Sequence, residues 1–232
     1  MIVLAIETSG ELGGAAVLVD GKLESEVEVS GPRRVGAELM PGIDKACVDA
    51  AINRDMIDVI AVNCGPGSYT GLRIGLATAA TIGFAFDKPV LGVPCFEAMV
   101  LQYVSAPGFD MKLRRELWPV LDARRDEVMT ARFEYDDGRF TRAGGDKLVS
   151  PGKLHEEAQR LAIVFGEAAK FEFNQDHMFI DKREFVLKPG SVALAAWREL
   201  AGKDPASLPR KPVEPRYFRR VLAKTVAERA AE

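Results

Sequence analysis

Residues 65–75 read Gly-Pro-Gly-Ser-Tyr-Thr-Gly-Leu-Arg-Ile-Gly, and they are the most informative part of the chain about its fold. It follows an apolar, strand-like run at 59–62 and precedes a helical pattern of small residues from Leu72 to Phe86. A glycine-rich turn between a strand and a helix directs several backbone N–H groups to one point, beside the positive end of the helix dipole. The stretch therefore predicts an α/β fold with a candidate anion-binding turn, formed by Gly65, Gly67, Ser68 and Thr70.

This turn matches neither of the two common phosphate-binding motifs. A Walker loop requires a lysine directly after its last glycine, whereas Gly71 is followed by Leu72. A dinucleotide fingerprint requires Gly-x-Gly-x-x-Gly, and the spacing of Gly65, Gly67 and Gly71 is one residue too long. The turn is therefore interpreted mainly as the start of the following helix, with anion binding as a secondary role.

Small residues recur every four positions along that helix, at Gly71, Gly75, Ala79 and Gly83. Such a ridge lacks bulk and allows another element to approach the helix backbone closely. Two interpretations stay open on the sequence: the ridge packs against the protein's own sheet, or it forms an interface with a partner.

Composition excludes several classes of protein. A chain of 232 residues with 47% hydrophobic and 28% charged residues is typical of a soluble globular protein of one or two domains. The net charge of −3 argues against a dedicated nucleic-acid-binding surface. The strongest basic cluster lies in the tail and is interpreted as a solvated charged face; it comprises Arg210, Lys211, Arg216, Arg219, Arg220 and Lys224.

The cysteines and the hydropathy pattern favour a cytoplasmic protein. Cys47, Cys64 and Cys95 are widely spaced and odd in number, which suits reduced thiols better than a disulfide framework. The first residues read as a strand and not as a signal peptide. No apolar stretch approaches the roughly 20 residues that span a bilayer, so we expect no contact with a membrane.

One pattern occurs twice along the chain. A strand, an acid, a turn, a second strand and an Asp-Gly hairpin run from residue 2 to Asp20-Gly21, and a similar series runs from residue 117 to Asp137-Gly138. The acids are Glu7 and Asp122. This repeat predicts two similar α/β lobes, residues 1–105 and 106–232, with the last helix packing back on the first lobe.

Helical and strand patterns place further elements. An apolar stripe predicts a helix with Pro41 near its first turn, because a later proline breaks a backbone hydrogen bond; its members are Leu39, Ile43, Ala46, Cys47 and Ala50. Residues 128–133 read as a strand, 154–161 as a helix and 221–230 as a closing, helix-prone run.

Few residues point to intrinsic chemistry. His155 and His177 are the only histidines and lack the helical spacing of metal ligands, so no metal site is predicted. No Gly-x-Ser-x-Gly elbow supports a serine hydrolase. Glu7 and Asp122 could bind a metal–nucleotide complex between the lobes, although capping a turn is the commoner role. Arg124 and Arg125 could contact an anion, but surface charge pairing is the favoured interpretation.

With these residues laid out, the chain closely resembles the bacterial TsaB family, also called YeaZ, of the tRNA threonylcarbamoyladenosine machinery. The matching pieces are residues 2–9 and 65–75, the segment Leu-Asp-Ala-Arg-Arg-Asp-Glu-Val at 121–128 and the tail Pro-Arg-Tyr-Phe-Arg at 215–219. The resemblance implies an ASKHA (actin, sugar kinase and Hsp70-like) fold with two ribonuclease-H-like lobes.

The resemblance also implies a non-catalytic subunit. TsaB-type proteins form a heterodimer with the catalytic subunit TsaD and, with the ATPase TsaE, support threonylcarbamoyl transfer to adenosine 37 of tRNAs reading codons that begin with A. Catalytic relatives carry an H-x-x-x-H metal-binding pair, whereas residues 33–41 here, Arg-Arg-Val-Gly-Ala-Glu-Leu-Met-Pro, contain no histidine. The expectation is therefore no catalytic residue, no intrinsic cofactor, ATP or ADP only at the interface of the complex, and tRNA reached only through the complex.

By the same resemblance, the helices at about 37–50 and 71–86 contact TsaD, or a second copy in an isolated homodimer. The implied partner-binding residues are Leu39, Met40, Ile43, Cys47, Gly71, Leu72, Gly75, Ala79 and Gly83. The alternative is an independent ASKHA-type ATPase or sugar kinase that uses Glu7 and Asp122.

Overall fold

The first half of the chain forms a five-stranded sheet. The computed structural model describes residues 1–31, 34–110, 114–174 and 176–218. Three strands form an antiparallel meander and two further strands run parallel to the first, in the order β3-β2-β1-β4-β5. Their bounds are β1 (Ile2–Glu7), β2 (Leu12–Val19), β3 (Lys22–Ser30), β4 (Val59–Gly65) and β5 (Val90–Pro94).

Helices cover both faces of this sheet, which explains why its central strands are apolar on both sides. On one face lie α1 (Val35–Asp49) and α2 (Tyr69–Ala85); on the other lie α3 (Cys95–Val104) and α5 (Pro189–Leu200). Alternate β1 residues divide between these layers, since Leu4 packs in the α1–α2 core and Val3 in the α5 core.

Pro41 lies further inside α1 than the sequence predicted. The helix begins at Val35, so Pro41 stands in its second turn and not near its first. Its ring is on the exposed side of the helix. The backbone carbonyl that loses its N–H donor therefore faces solvent, where the loss is tolerated.

The second half forms a seven-stranded mixed sheet. Its main order is β10-β7-β6-β11-β12, with β8 paired to β6 and β9 to β8. The bounds are β6 (Arg115–Asp122), β7 (Val128–Thr130), β8 (Phe133–Asp136), β9 (Arg139–Arg142), β10 (Lys147–Val149), β11 (Ile163–Gly166) and β12 (Phe179–Ile180), with α4 (Pro151–Glu157) between β10 and β11.

Two predicted elements of this half differ in the structure. The strand expected at 128–133 is divided into β7 and β8, because each pairs with a different part of β6. The helix expected at 154–161 is α4, which begins earlier, at a Ser150 cap with Pro151 in the first turn. It also ends earlier, and Leu161 adopts a left-handed conformation with φ of 69°.

The two sheets lie on either side of residue 105, as the repeat predicted, while the division into separate domains stays a prediction. Helix α5 belongs to the second half but packs on the first sheet through Val192, Ala193 and Ala196. The closing run at 221–230 lies outside the described residues.

Candidate functional site

The small-residue ridge of α2 packs inside the protein. A Cβ atom on Gly71 would lie 1.9 Å from the Thr8 carbonyl oxygen, and one on Gly75 would lie 2.3 Å from Thr8 Oγ1. That hydroxyl donates a hydrogen bond of 2.7 Å to the Gly71 carbonyl. Further along, a Cβ on Gly83 would lie 2.6 Å from Val90 Cγ2. The ridge therefore seats α2 on its own sheet, which was one of the two interpretations left open.

This packing corrects most of the predicted partner-binding set. Met40 is exposed and Gly71 is half-buried. The other seven are buried in the described chain and have little surface for a direct partner contact; they are Leu39, Ile43, Cys47, Leu72, Gly75, Ala79 and Gly83. The physical reason is that the apolar stripe of α1 and the small-residue ridge of α2 both pack in the first lobe's own core.

The outward sides of α1 and α2 form a different surface. The two helices are neighbours, since a Cβ on Gly36 would lie 3.7 Å from Ile74 Cδ1. Phe84 is 90% exposed, and Met40 and Val48 are exposed as well. We define the α1–α2 face by seven of its exposed residues, which are Ala37, Met40, Pro41, Val48, Ala77, Ala80 and Phe84.

Backbone N–H groups of the glycine turn donate hydrogen bonds within the protein. The Gly65 N–H donates to Asn63 Oδ1 at 2.8 Å, and the Ser68 N–H donates to the Ser9 carbonyl at 2.7 Å. Ser68 Oγ accepts from the Gly71 N–H at 3.3 Å and so caps α2. These contacts contradict an anion cradle at Gly65 and Ser68 and confirm the turn as a helix start.

Glu7 and Asp122 both cap turns. Glu7 is fully buried and accepts hydrogen bonds from the Ser9 N–H at 2.5 Å, the Ser9 hydroxyl at 2.6 Å and Asn63 Nδ2 at 2.5 Å. Burial raises the pKa of the Glu7 carboxyl, and these hydrogen bonds oppose that rise. Asp122 Oδ1 accepts from the Arg124 N–H at 2.6 Å, and its other oxygen lies 3.3 Å from Arg124 Nη1.

A cleft of about 610 Å³ lies between the two lobes. The glycine turn, α3, the β6–β7 turn and residues 182–187 surround it. Asp122 lies on its wall, whereas Glu7 does not and is held by Ser9 and Asn63. The structure therefore does not present both acids to one ligand, as the kinase alternative requires.

The structure brings two histidines together that sequence spacing kept apart. The rings of His155 and His177 lie 4.2 Å apart, and each ring bonds to a backbone carbonyl. Within the described residues, no group of three or more histidine, cysteine, aspartate or glutamate side chains is arranged to hold a metal. The three cysteines are buried and free.

The C-terminal segment, defined here as residues 208–218, crosses the first lobe and was not predicted to meet the glycine turn. Arg210 pairs with Asp87 beyond the end of α2. The Arg216 N–H then donates to the Cys64 carbonyl at 2.7 Å. Tyr217 finally packs on Tyr69, with ring centroids 4.9 Å apart. Two matched sequence motifs, the glycine block and the tail, therefore touch.

A family model described as "TsaD: tRNA N6-adenosine threonylcarbamoyltransferase" matches residues 32–209. The chain belongs to this family. It is 30% identical over 149 residues to the tRNA threonylcarbamoyladenosine biosynthesis protein TsaB of Bacillus subtilis, covering 64% of this chain and 62% of that protein. The TsaB of Escherichia coli is 27% identical over 163 residues, covering 70% and 68%.

Solved structures show the same fold. The chain named "YeaZ from Pseudomonas aeruginosa" superimposes with a TM-score of 0.76 at 22% identity, covering 94% of this chain and 99% of that one. These findings confirm the resemblance to the TsaB, or YeaZ, family and the two-lobed ASKHA fold. The alignment spans less than two thirds of the Bacillus relative's length. No helix among the described residues is long and apolar enough to cross a membrane.

Proposed function

We propose that this chain is a non-catalytic subunit of the machinery that forms threonylcarbamoyladenosine in tRNA. In this role it pairs with a catalytic TsaD-type subunit and, together with a TsaE-type ATPase, supports threonylcarbamoyl transfer to adenosine 37 of tRNAs reading codons that begin with A. The observation that carries the proposal is the family match over residues 32–209, together with relatives named for this biosynthesis.

Helix α1 supports the non-catalytic role. Metal-dependent members place a histidine pair on this helix, whereas residues 34–49 contain no histidine. The two histidines of the chain belong to the second lobe, where their rings contact each other. An enzyme of this type needs metal ligands between its lobes, and α1 supplies none.

The α1–α2 face suits a partner made of helices. Ala77 and Ala80 lie on the outer side of α2, so a second helix can approach its backbone closely. Phe84 on the same helix, and Met40 and Val48 on α1, are exposed apolar side chains. Exposed aromatic and apolar groups of this kind typically supply much of the binding energy at an interface. The same face serves a homodimer of the isolated chain.

Matched phenylalanine substitutions test this face. Phe84→Ser removes the aromatic side chain from the α1–α2 face, and Phe179→Ser removes a side chain that is 60% exposed on β12 in the second lobe. Binding to the TsaD-type subunit of the same organism is measured by co-elution and calorimetry. Phe84→Ser should weaken binding by about tenfold or more, and Phe179→Ser by less than about twofold. Equal affinities for both variants would remove the α1–α2 face from the proposal.

A reconstituted modification assay tests the role itself. The TsaD-type and TsaE-type proteins, threonylcarbamoyl-adenylate and tRNA are combined with and without this chain, and modified adenosine is measured. The proposal requires modification to depend on the chain and requires the chain alone to be inactive. Calorimetry with ATP and Mg²⁺ covers the alternative, an independent ATPase or sugar kinase, which demands tight binding by the isolated chain. ATP or ADP at the interface and a cytoplasmic location stay predictions.

A further inference from the structure

A cationic and aromatic surface lies where the C-terminal segment reaches the first turn of α2. Tyr69 is 43% exposed and Tyr217 is 39% exposed, and their rings are tilted by 37° against each other. The Arg73 guanidinium lies 4.3 Å from the centroid of the Tyr69 ring. Arg73 Nε also donates a hydrogen bond of 3.3 Å to the Tyr217 hydroxyl. The partly exposed rings of Tyr69 and Tyr217 therefore hold the exposed Arg73 guanidinium in place.

The two cations of this surface have no acidic partner among the residues that the structure describes. Within the described part of the chain, neither Arg73 nor Arg216 forms an ion pair. Arg34 and Arg210, by contrast, are neutralised by Glu38 and Asp87. The contacts of Arg73 with the Tyr69 ring and with the Tyr217 hydroxyl leave its terminal guanidinium nitrogens available to bind an anion.

The C-terminal segment also carries an excess of positive charge. Residues 208–218 contain three basic residues and one acid, a balance of +2, although the whole chain has a net charge of −3. The rest of the chain therefore carries −5, since −3 minus +2 is −5. The C-terminal segment brings Lys211 and Arg216 onto the first lobe. The positive end of the α2 dipole adds to this local field.

We propose that this surface binds single-stranded RNA directly. A base stacks on the exposed ring of Tyr217 or Tyr69, and the neighbouring phosphates are bound by Arg73 and Arg216. Proteins that bind single strands combine aromatic platforms with cations that follow the backbone, and both are present here. Arg73 is already held by two rings, so little side-chain freedom is lost on binding.

RNA fits this surface better than an acidic protein does. An acidic protein would pair with the cations but would gain little from the two half-exposed tyrosine rings beside them. A nucleotide strand alternates bases with phosphates, so its bases can stack on the rings while its phosphates bind the cations. The proposal goes beyond the subunit role, since it requires no second protein. It differs from the expectation that tRNA is reached only through the complex, which stays a prediction.

Fluorescence anisotropy of the isolated full-length chain tests the proposal. The probe is a labelled, unstructured RNA of about 12 nucleotides, at about 50 mM salt and at rising salt. The test variant is Arg73→Gln with Arg216→Gln. The control is Arg139→Gln with Arg160→Gln, which removes two exposed positive charges from the second lobe. Thermal unfolding in the same buffer verifies that each variant is folded.

The expected result is a loss of affinity confined to the proposed surface. The Arg73 and Arg216 pair should weaken binding about tenfold or more and reduce the slope of log K against log salt by about 1.4, while the control changes affinity less than about twofold. Tyr217→Ser should weaken binding by about 5- to 150-fold, whereas Tyr217→Phe keeps the ring and stays within about threefold.

Three results would overturn the proposal. The first is that the wild-type chain fails to bind the RNA at low salt. The second is that the control pair loses as much affinity as the Arg73 and Arg216 pair. The third is that the Arg73 and Arg216 pair binds RNA normally but loses the TsaD-type subunit, which would make this surface a protein contact. The Phe84 variant tests the α1–α2 face independently of these results, so failure of the RNA proposal can be told apart from failure of the proposed subunit role.

Discussion

Replacing Gly71 by alanine tests how closely α2 approaches the first strand. The new methyl group would lie 1.9 Å from the Thr8 carbonyl oxygen and 3.0 Å from its carbon. The Thr8 backbone, directly after β1, cannot rotate away as a side chain can, so α2 itself must move. That movement also stretches the hydrogen bond from Thr8 Oγ1 to the Gly71 carbonyl, whose donor is buried.

The magnitude follows from three contributions to the free energy of unfolding. Overpacking by one methyl group costs about 1–3 kcal/mol. Weakening the bond of a buried hydroxyl costs about 1–3 kcal/mol if the bond is lost. Alanine regains about 1 kcal/mol at most from its higher helix propensity. Taking mid-range values for the two costs, Gly71→Ala should lower the free energy of unfolding by about 3 kcal/mol.

Gly36→Ala is the matched control. Gly36 also lies in the first turn of its helix, but a Cβ there would meet only Ile74 Cδ1 at 3.7 Å, an ordinary contact. It should raise the free energy of unfolding by about 0.5–1 kcal/mol. Urea unfolding followed by circular dichroism measures both changes. A Gly71→Ala protein as stable as wild type would refute the close packing of α2 on Thr8.

Two further predictions concern buried polar groups. Because burial raises the pKa of Glu7 above its ordinary value of 4.5, the folded chain binds this proton more tightly than the unfolded chain. Stability should therefore fall as pH rises above 4.5, and Glu7→Gln should flatten that fall in urea titrations at several pH values; an identical slope in the variant would contradict the burial argument. Tyr103 donates a buried hydrogen bond of 2.9 Å to Asp181 Oδ2, so Tyr103→Phe should cost about 1 kcal/mol, or about 2–4 °C of melting temperature, and an unchanged midpoint in thermal unfolding would argue against this bond.

The first lobe was predictable because its signals are local. Asp20-Gly21 marks the β2–β3 hairpin, and the apolar runs at 2–6 and 59–62 have the length and composition typical of buried strands. The repeat of an acid after the first strand of each half predicted two sheets. Of the two roles that the sequence left open for Glu7 and Asp122, the structure shows turn capping, since an acid at a strand end commonly accepts the N–H groups of the following turn.

Long-range packing could not be predicted in the same way. Nothing local indicates that α5 returns to the first sheet, or that Tyr217 packs on Tyr69 across 148 positions of sequence. The split of residues 128–133 into two strands depends on which part of β6 each one meets. The meeting of His155 with His177 likewise depends on tertiary structure, since their spacing suggested no contact.

The error about the partner-binding residues has a geometric cause. A period of four marks one ridge of a helix but does not say which way that ridge points. In α2 the small residues lie on both sides: Gly75 and Ala79 face the sheet, while Ala77 and Ala80 face outward. The large residue that distinguishes the two sides is Phe84, which is 90% exposed and therefore marks the outward side.

The two sides of α2 that carry small residues differ in how much added side-chain volume they tolerate. On the inner side, space is already filled by Thr8 and Val90, so added bulk must unfold or displace the helix. On the outer side, added bulk meets only solvent in the isolated chain and should leave stability nearly unchanged. Ala80→Leu should therefore melt within about 1 °C of wild type while losing the TsaD-type subunit, whereas Gly75→Leu should lose the fold itself. A partner that still binds Ala80→Leu normally would mean that its helices do not approach the backbone of α2.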